Sequence, residues 1–453
     1  MKKIYALMAA ALTFGACSVV MSSCGDDNEP EQPNNPEAPS IKEEMTPTES
    51  KQHLEETATE ALGLFRPADQ QELIELTNFF GKRYGDLSLP ENFEFESTNP
   101  KSMMNALGEI GRGNVAAFAS AAVTYTYNVN FDKMKGVYKP KGDEWVKVSD
   151  SNDIVFQFNN IKQGDAQLTV KVSKEVSNFD FTLTDWDYEY DENGYHEYEE
   201  EYIYNVALPH EVNFTLTSEG NKLAEGKVVS SIDVKGHKFA LQAETNLMNI
   251  NARIEAKGSD SKVEQSSAIK VGGVSVVTSS AAVNGKHLCD RDHWEALEDA
   301  DDEAAYMAGI LNSGSASVDV LGRVQFEASI SNFTADLIEA LDNSYDNYDY
   351  NSKDVALNAC KKDCGTINQA IKTQFRYNSN TVQGSLFFQP YLSYEESWSG
   401  NQYWEYEQEC VLKFASDGTT YSFDEYFSKG FGNVTNQWES LIDNYERIWK
   451  NVK

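Results

Sequence analysis

Apolar and polar residues alternate along most of the middle of the chain, and this period of two constrains the fold more than any other feature of the sequence. Such alternation is typical of β-strands that have one face in a core and the other in water. Short turn signals such as Ser218-Glu219-Gly220 separate neighbouring runs, so the strands are predicted to pair as antiparallel hairpins. The runs span residues 123–131, 154–158, 168–172, 179–183, 212–216, 228–234, 239–243, 250–256, 318–330 and 382–412.

Helical periodicity flanks and interrupts the strand runs. Thr46, Pro47 and Glu49 have the pattern of a capped helix start, with a proline at the first helical position and a capping-box partner. Further helices are predicted from residue 67, from residue 99, over 290–311, 334–344 and 352–373, and at the amphipathic C-terminus. The sequence therefore predicts an α+β fold, in which a large, mostly antiparallel and curved β-sheet is covered by N-terminal, internal and C-terminal helices.

The N-terminal segment 1–23 has the layout of a secretory signal peptide. Two lysines precede an apolar stretch, residues 4–20, and small residues stand directly before Cys24. The stretch is too short for a membrane-spanning helix, which needs about 20 apolar residues. The segment resembles the signal peptide of bacterial lipoproteins, whose lipobox cysteine is acylated and becomes the new N-terminus. The resemblance implies an acyl anchor of the palmitate type at Cys24, with Cys17 as a competing acylation site.

Residues 24–40 are acidic and rich in proline. Prolines recur there at every third position from Pro30 to Pro39, which matches the polyproline II turn and predicts a semi-extended tether. Acidic residues directly behind the cysteine resemble the signal with which some Gram-negative bacteria place lipoproteins on the cell surface. The resemblance implies a chain that is lipid-anchored in the outer membrane and faces the cell exterior. Beyond the tether we expect a helical segment (41–120), an antiparallel β region (121–290) and a mixed region that completes the sheet (291–453).

Charge and composition limit the classes of partner. The formal net charge is −34, whereas nucleic-acid binding depends on Lys and Arg that neutralise phosphates. We therefore expect no nucleic-acid partner, and we expect membrane attachment to come from the acyl anchor rather than from charge. With 40% hydrophobic residues, the chain can bury at least one large core.

Four cysteines remain in the folded part of the chain: Cys289, Cys360, Cys364 and Cys410. An exported location permits disulfides, but four cysteines allow three pairings that sequence does not distinguish. Cys360 and Cys364 are four residues apart on a predicted helix, where a bridge between them would strain disulfide geometry. Pairing of one of them with Cys289 or Cys410, or burial of all as free thiols, stays open.

One short segment holds the densest group of metal-type ligands, which are His287, Cys289, Asp290, Asp292 and His293. Zinc accepts imidazole, thiolate and carboxylate ligands, and His287, Cys289, Asp292 and His293 are the predicted set, which Cys360 and Cys364 would complete if the fold brings them close. The segment lacks the ligand spacing of zinc fingers or of HExxH sites. The alternative is a loop that enters a helix, with Asp290 or Asp292 capping the helix start.

Two segments combine aromatic residues with carboxylates around a turn. The residues predicted to contact a ligand are Trp186, Tyr188, Tyr190, Tyr195 and Tyr198 in the first segment and Trp398, Tyr403 and Trp404 in the second. Aromatic rings stack on the apolar faces of sugars while acids accept hydrogen bonds from hydroxyl groups. The alternative is structural, because cross-strand aromatic pairs stabilise hairpins and acids keep edge strands soluble.

No nucleophile, phosphate-binding or dinucleotide-binding motif is present in a suitable context, and no cofactor is predicted. We expect a non-catalytic binding protein for a polar extracellular ligand such as a glycan. Two alternatives stay open. One is a carrier of lipid or another apolar ligand, which requires a dry cavity, and the other is a glycan hydrolase with an acid pair, which requires two carboxylates across a cleft.

Overall fold

The structure is a computed structural model, and it describes residues 43–90, 131–191, 194–298, 300, 302–342, 348–349, 352–378, 380–398, 401–428 and 430–450. Within these ranges, only the backbone is described for residues 178–191, 194–207, 295, 298, 348–349, 394–398 and 401–402. The predicted signal peptide, Cys24, the tether, the helix from residue 99 and almost all of the first strand run lie outside the described residues.

The chain has the predicted α+β fold, with a large and mostly antiparallel sheet. The helices are α1 (Pro47–Leu64), α2 (Gln71–Tyr84), α3 (Phe131–Met134), α4 (Arg291–Glu298), α5 (Glu303–Ile310), α6 (Ala335–Asp342), α7 (Lys353–Ala370), α8 (Phe423–Phe427) and α9 (Gly432–Lys450). The strands are β1 (Gly136–Lys141), β2 (Glu144–Ser149), β3 (Ile154–Asn159), β4 (Asp165–Val172), β5 (Val176–Asp191), β6 (Gly194–Pro209), β7 (Glu211–Ser218), β8 (Asn221–Asp233), β9 (Lys238–Leu247), β10 (Ile250–Ser259), β11 (Lys262–Val271), β12 (Val274–Gly285), β13 (Leu311–Val320), β14 (Val324–Ile330), β15 (Tyr348–Asp349), β16 (Ile371–Arg376), β17 (Val382–Trp398), β18 (Asn401–Phe414) and β19 (Thr420–Ser422).

The chain divides into two units that are each discontinuous in sequence. The first unit holds the residues up to Pro67 together with Ala256–Asn444, and the second holds Ala68–Glu255 together with the residues from Tyr445 onwards. The segments predicted from the sequence are instead continuous along the chain.

In the second unit the strands pair in the order β2-β1-β3-β4-β7-β8-β9. The β1–β3 pair is parallel, and the others of this series are antiparallel. Phe156, Leu168 and Leu216 are cross-strand partners on one face, where α2 packs Leu76 and Phe80 against them in one buried cluster. The alternation of the sequence thus gives this sheet one apolar face, and α2 covers it.

The hairpin β5–β6 forms a separate two-stranded sheet. Its base is fastened to β8, because the Ser177 hydroxyl accepts a hydrogen bond from the backbone N–H of Ile232 at 3.0 Å and lies 3.0 Å from His210 Nε2. Ser230 of β8 adds a hydroxyl hydrogen bond to the carbonyl of Pro209 at 2.7 Å. Buried polar contacts of this kind fix where the hairpin leaves the sheet.

In the first unit the strands pair in the antiparallel order β11-β12-β13-β14-β16-β17-β18-β19, and the short β15 pairs with β18. Helices α5, α6 and α7 supply Ile310, Leu337 and Ile367 to one buried cluster of this unit. A second cluster joins Leu54 of α1 to Phe375 of β16 and its neighbours. Helices therefore cover the apolar face in this unit as well.

The start of α1 agrees with its prediction from local sequence, whereas the helix predicted over 290–311 is interrupted. The predicted capping box of α1 is present, because the backbone N–H of Glu49 donates to Thr46 Oγ1 and the N–H of Thr46 donates to Glu49 Oε2. The single helix predicted over 290–311 is wrong: α4 and α5 are separate, and Asp302 caps α5 by accepting a hydrogen bond from the N–H of Ala305. An aspartate that binds backbone N–H groups starts a new helix instead of continuing one.

The C-terminal helix is the predicted amphipathic element, but none of its residues is buried. Within the second unit its last residues contact the region of α2, where Tyr445 Oη donates to Gln70 Oε1 at 2.9 Å and the amide of Asn78 donates to the carbonyl of Trp449. These hydrogen bonds fasten the end of α9 by polar contacts rather than by a buried apolar stripe.

Candidate functional site

The first aromatic segment is the hairpin β5–β6, in which β5 ends at Asp191 and β6 begins at its pairing partner Gly194. The register places Trp186 opposite Glu199 and Tyr188 opposite Glu197. The remaining predicted positions pair as Tyr190 with Tyr195 and Asp187 with Tyr198. Aromatic positions thus lie directly across from acidic or aromatic ones, which is the pairing that the composition predicts.

The second aromatic segment, the hairpin β17–β18, is divided between surface and core. Tyr391 is 53% exposed, and Tyr403 is half-buried. Trp404 is buried together with Tyr406, and both pack against Cys360 and its neighbours on α7. The predicted ligand contact at Trp404 is therefore corrected: α7 covers the face of β18 that carries it. The side chain of Trp398 lies outside the described part.

The cysteines of the folded part form no disulfide. Cys360 and Cys364 lie on α7 with their sulfur atoms 4.0 Å apart, and both are buried. The hydrogen bond with Cys360 and, to a smaller extent, burial raise the pKa of Cys364. Burial raises the pKa of Cys410 to about 12. These two thiols stay protonated and unreactive at neutral pH.

A polar groove of about 580 Å³, which was not predicted from the sequence, lies in the second unit. It forms at one end of the sheet, where the parallel strands β1 and β3 end, β4 begins and β7 ends. We call this feature the polar groove; the polar side chains that line it are Tyr84, Lys139, Gln157, Asn159, Asp165, Gln167 and Thr217.

Strand register builds the floor of the polar groove. Gln157 of β3 stands opposite Gln167 of β4, which stands opposite Thr217 of β7. Gln157 Nε2 donates a hydrogen bond to Gln167 Oε1 at 3.0 Å, and Gln167 Nε2 donates to Thr169 Oγ1 at 2.9 Å. These two hydrogen bonds hold the amides in place. Each amide nitrogen carries a second hydrogen that it can donate to a ligand hydroxyl.

Tyr84, the last residue of α2, supplies an aromatic wall to the polar groove. Its ring centroid lies 5.5 Å from that of Phe80, 5.9 Å from that of Trp145 and 5.6 Å from that of Phe158. The backbone N–H of Asn159 donates to Tyr84 Oη at 3.4 Å. These three neighbouring rings fix the orientation of Tyr84, while its half-buried position leaves part of the ring at the groove.

A second cluster lies in the first unit, between the end of β12 and the start of α4. Asp290 Oδ2 lies 3.4 Å from His287 Nδ1 and 3.0 Å from His293 Nδ1. The two imidazole rings are stacked in parallel, with centroids 3.7 Å apart. We call these three residues the histidine cluster.

The histidine cluster differs from the predicted ligand set, because it adds one residue and lacks two. The group of potential ligands found among the described residues contains Asp290, and neither Cys289 nor Asp292 belongs to it. Asp292 is adjacent to His293 in α4, and adjacent helical residues do not share a face, whereas residues three apart do. Burial and, to a smaller extent, the charge of Asp260 raise the pKa of Cys289.

Comparison of the chain with known protein families, with curated proteins and with solved structures finds no match. No helix in the described part of the chain is both long and apolar enough to cross a membrane. Function is therefore inferred from the geometry of the polar groove and of the histidine cluster and from the residues of the N-terminal segment.

Proposed function

We propose that the chain is a lipid-anchored, non-catalytic binding protein of the cell surface whose ligand is a polar extracellular molecule such as a glycan. The observation that carries the proposal is the polar groove. Its volume of about 580 Å³ falls within the roughly 300–1,000 Å³ that is typical of ligand sites. The acyl anchor at Cys24 and the outward orientation enter through the resemblance of the N-terminal segment to lipoprotein signal peptides.

The chemistry of the groove favours a ligand with many hydroxyl groups. Gln157, Gln167 and Asn159 offer amide donors and acceptors, and Asp165 offers a carboxylate that accepts hydrogen bonds from hydroxyl groups. Tyr84 adds an aromatic ring of fixed orientation at the same end of the sheet, on the face that α2 covers, whereas Gln157 and Gln167 lie on the other face. Such a ring stacks on the apolar C–H face of a sugar. Amides with one aromatic wall suit a neutral glycan better than a nucleotide, because the net charge of −34 repels phosphates.

The aromatic hairpin β5–β6 belongs to the same unit as the groove. Its cross-strand pairs of aromatic and acidic positions, such as Trp186 with Glu199, have the composition expected of a surface that holds sugars. We propose it as an additional contact surface for a long glycan. Trp404 has no part in this proposal, because it lies in the core of the first unit.

The lipid-carrier alternative requires an enclosed apolar cavity. The enclosed apolar space between α2 and the sheet, lined by Leu76, Phe80 and Leu216 among others, measures about 10 Å³. That volume is at the limit for a single water molecule, so this space supports no carrier function.

Removing the two groove amides tests the proposal. Gln157→Leu with Gln167→Leu keeps the side-chain volume and removes both amides, and each lost hydrogen bond contributes about 0.5–1.5 kcal/mol. We expect the double variant to weaken glycan binding roughly tenfold or more, since 1.4 kcal/mol corresponds to a factor of ten. The assay is a glycan array with the mature chain, followed by calorimetric titration of each glycan that binds.

Gln242→Leu is the matched control, because Gln242 is a half-buried glutamine on β9 of the same unit and does not line the groove. It is expected to bind as the wild type does. Equal affinity of the double variant and the control would exclude the groove as the site, and a wild-type chain that binds no glycan would refute the glycan proposal.

Labelling of cells with palmitate, followed by protease treatment of intact cells, tests the anchor and its orientation: labelled chain that the protease does not degrade would contradict outward exposure.

A further inference from the structure

The histidine cluster has the composition and spacing of a metal site. Two imidazoles and one carboxylate form a common set of protein ligands for a catalytic or accessible zinc ion, with water in the remaining position. For bonds of about 2.0–2.1 Å in a tetrahedral site, donor atoms stand about 3.3 Å apart. The distances of 3.4 and 3.0 Å from Asp290 Oδ2 to the two Nδ1 atoms lie close to this separation.

The backbone around the cluster is held in place by hydrogen bonds and burial. The N–H of Lys286 donates to the carbonyl of Ile310 at 2.8 Å, and the N–H of Leu288 donates to the carbonyl of Asp260 at 3.1 Å. Leu288 itself is buried in the core of the first unit, and its carbonyl accepts a hydrogen bond from Trp294 Nε1 at 3.0 Å. The backbone on both sides of His287 is therefore fixed, which reduces the entropy lost on binding an ion.

The side chains have the freedom that coordination requires. Two parallel rings cannot both aim an in-plane lone pair at one ion, so binding must turn at least one ring out of the stack. The side chains of His287 and His293 are 46% and 40% exposed, whereas Asp290 is only 14% exposed. A fixed carboxylate between two accessible imidazoles allows this rotation without disturbing the core.

We propose that His287, Asp290 and His293 bind one divalent transition-metal ion of borderline softness, for which Zn²⁺ is the probe. The ion would link the segment after β12 to the first turn of α4, with solvent as its remaining ligand. Imidazole ligands distinguish this site from the many carboxylates of the chain, which suit Mg²⁺ and Ca²⁺. The inference is independent of the glycan proposal, because the cluster and the polar groove belong to different units.

Zinc titration of the mature chain in excess Mg²⁺ and Ca²⁺ tests the site, because these ions saturate the diffuse acidic surface. Calorimetry is expected to show one equivalent of Zn²⁺ per chain. His287→Asn, His293→Gln and Asp290→Asn are each expected to weaken binding at least tenfold, since loss even of a residue that only orients a ligand weakens binding by about 10–100-fold. Asparagine is chosen at position 287 because His287 has a φ of 56°, which asparagine tolerates.

His237→Asn is the matched control, because His237 also has a positive φ, of 48°, and lies in the turn between β8 and β9. It is expected to bind zinc as the wild type does. Thermal unfolding provides a second readout: without zinc the variants should melt with the wild type, and zinc should raise the melting temperature only of the wild type and the control. The proposal would be overturned if the three substitutions leave zinc binding unchanged, or if no stoichiometric binding occurs. The histidine cluster would then be an ordinary ion pair.

Discussion

Replacing Trp404 with alanine distinguishes a packing role of the second aromatic hairpin from a binding role. Trp404 is only 9% exposed and packs in a buried cluster with Cys360, Cys364 and Tyr406. Truncation of a buried aromatic side chain to alanine costs about 3–5 kcal/mol through lost apolar burial and the remaining cavity. We expect Trp404→Ala to lower the free energy of unfolding of the first unit by this amount.

Trp404→Phe tests the buried indole N–H of the same side chain. Nε1 of Trp404 is buried and makes no hydrogen bond within the described part of the chain, and a buried N–H without a partner costs about 1–3 kcal/mol. Phenylalanine loses some apolar contact but removes this cost. Its expected destabilisation is therefore about 1 kcal/mol, well below that of alanine.

Urea unfolding of the mature chain, followed by far-ultraviolet circular dichroism, measures both variants. Tyr391→Ala is the control on the same hairpin, because Tyr391 is 53% exposed and exposed substitutions usually change stability by less than about 0.5 kcal/mol. Trp404→Ala with wild-type stability and reduced glycan binding would refute the packing role and restore Trp404 as a ligand contact.

Three further perturbations test other parts of the fold. Gly226→Ala is expected to cost about 1–3 kcal/mol in urea unfolding, because a Cβ there would collide with the ring of Phe214, its cross-strand partner; unchanged stability would contradict this close packing. Burial raises the pKa of Tyr426 to about 12 from an ordinary 10. The stability that the neutral Tyr426 side chain contributes is therefore complete below pH 10 and is lost as the pH rises through 12. Tyr426→Phe should flatten the alkaline loss of stability, and an identical pH profile would exclude this tyrosine as the cause. Thr46→Ala removes the cap of α1 and is expected to cost about 1 kcal/mol. It also removes the hydroxyl hydrogen bond that is the larger of the two Thr46 bonds lowering the pKa of Glu49, so this pKa should rise, which carboxyl titration by NMR can detect.

Local signals predicted the elements whose determinants are close together in sequence. The capping box at Thr46 and Glu49 places the start of α1, because all its hydrogen bonds lie within one helical turn. Both aromatic hairpins are present where they were predicted, because β5 pairs with β6 and β17 with β18 as antiparallel neighbours. The histidine cluster was predicted only in part: the predicted ligand set holds His287 and His293 but takes Asp292 in place of Asp290, although a three-residue spacing places Asp290 beside His293.

The sequence by itself determined the α+β class and the antiparallel pairing, because a period of two and short connections leave the chain few other ways to bury one face. The tertiary structure alone decided which face each helix covers. Trp404 and Tyr403 are neighbours with opposite orientations, and only the packing of α7 made the first a core residue. The polar groove likewise depends on Gln157, Gln167 and Thr217 meeting across three strands, and strand register between distant segments is a property of the folded chain rather than of any one segment.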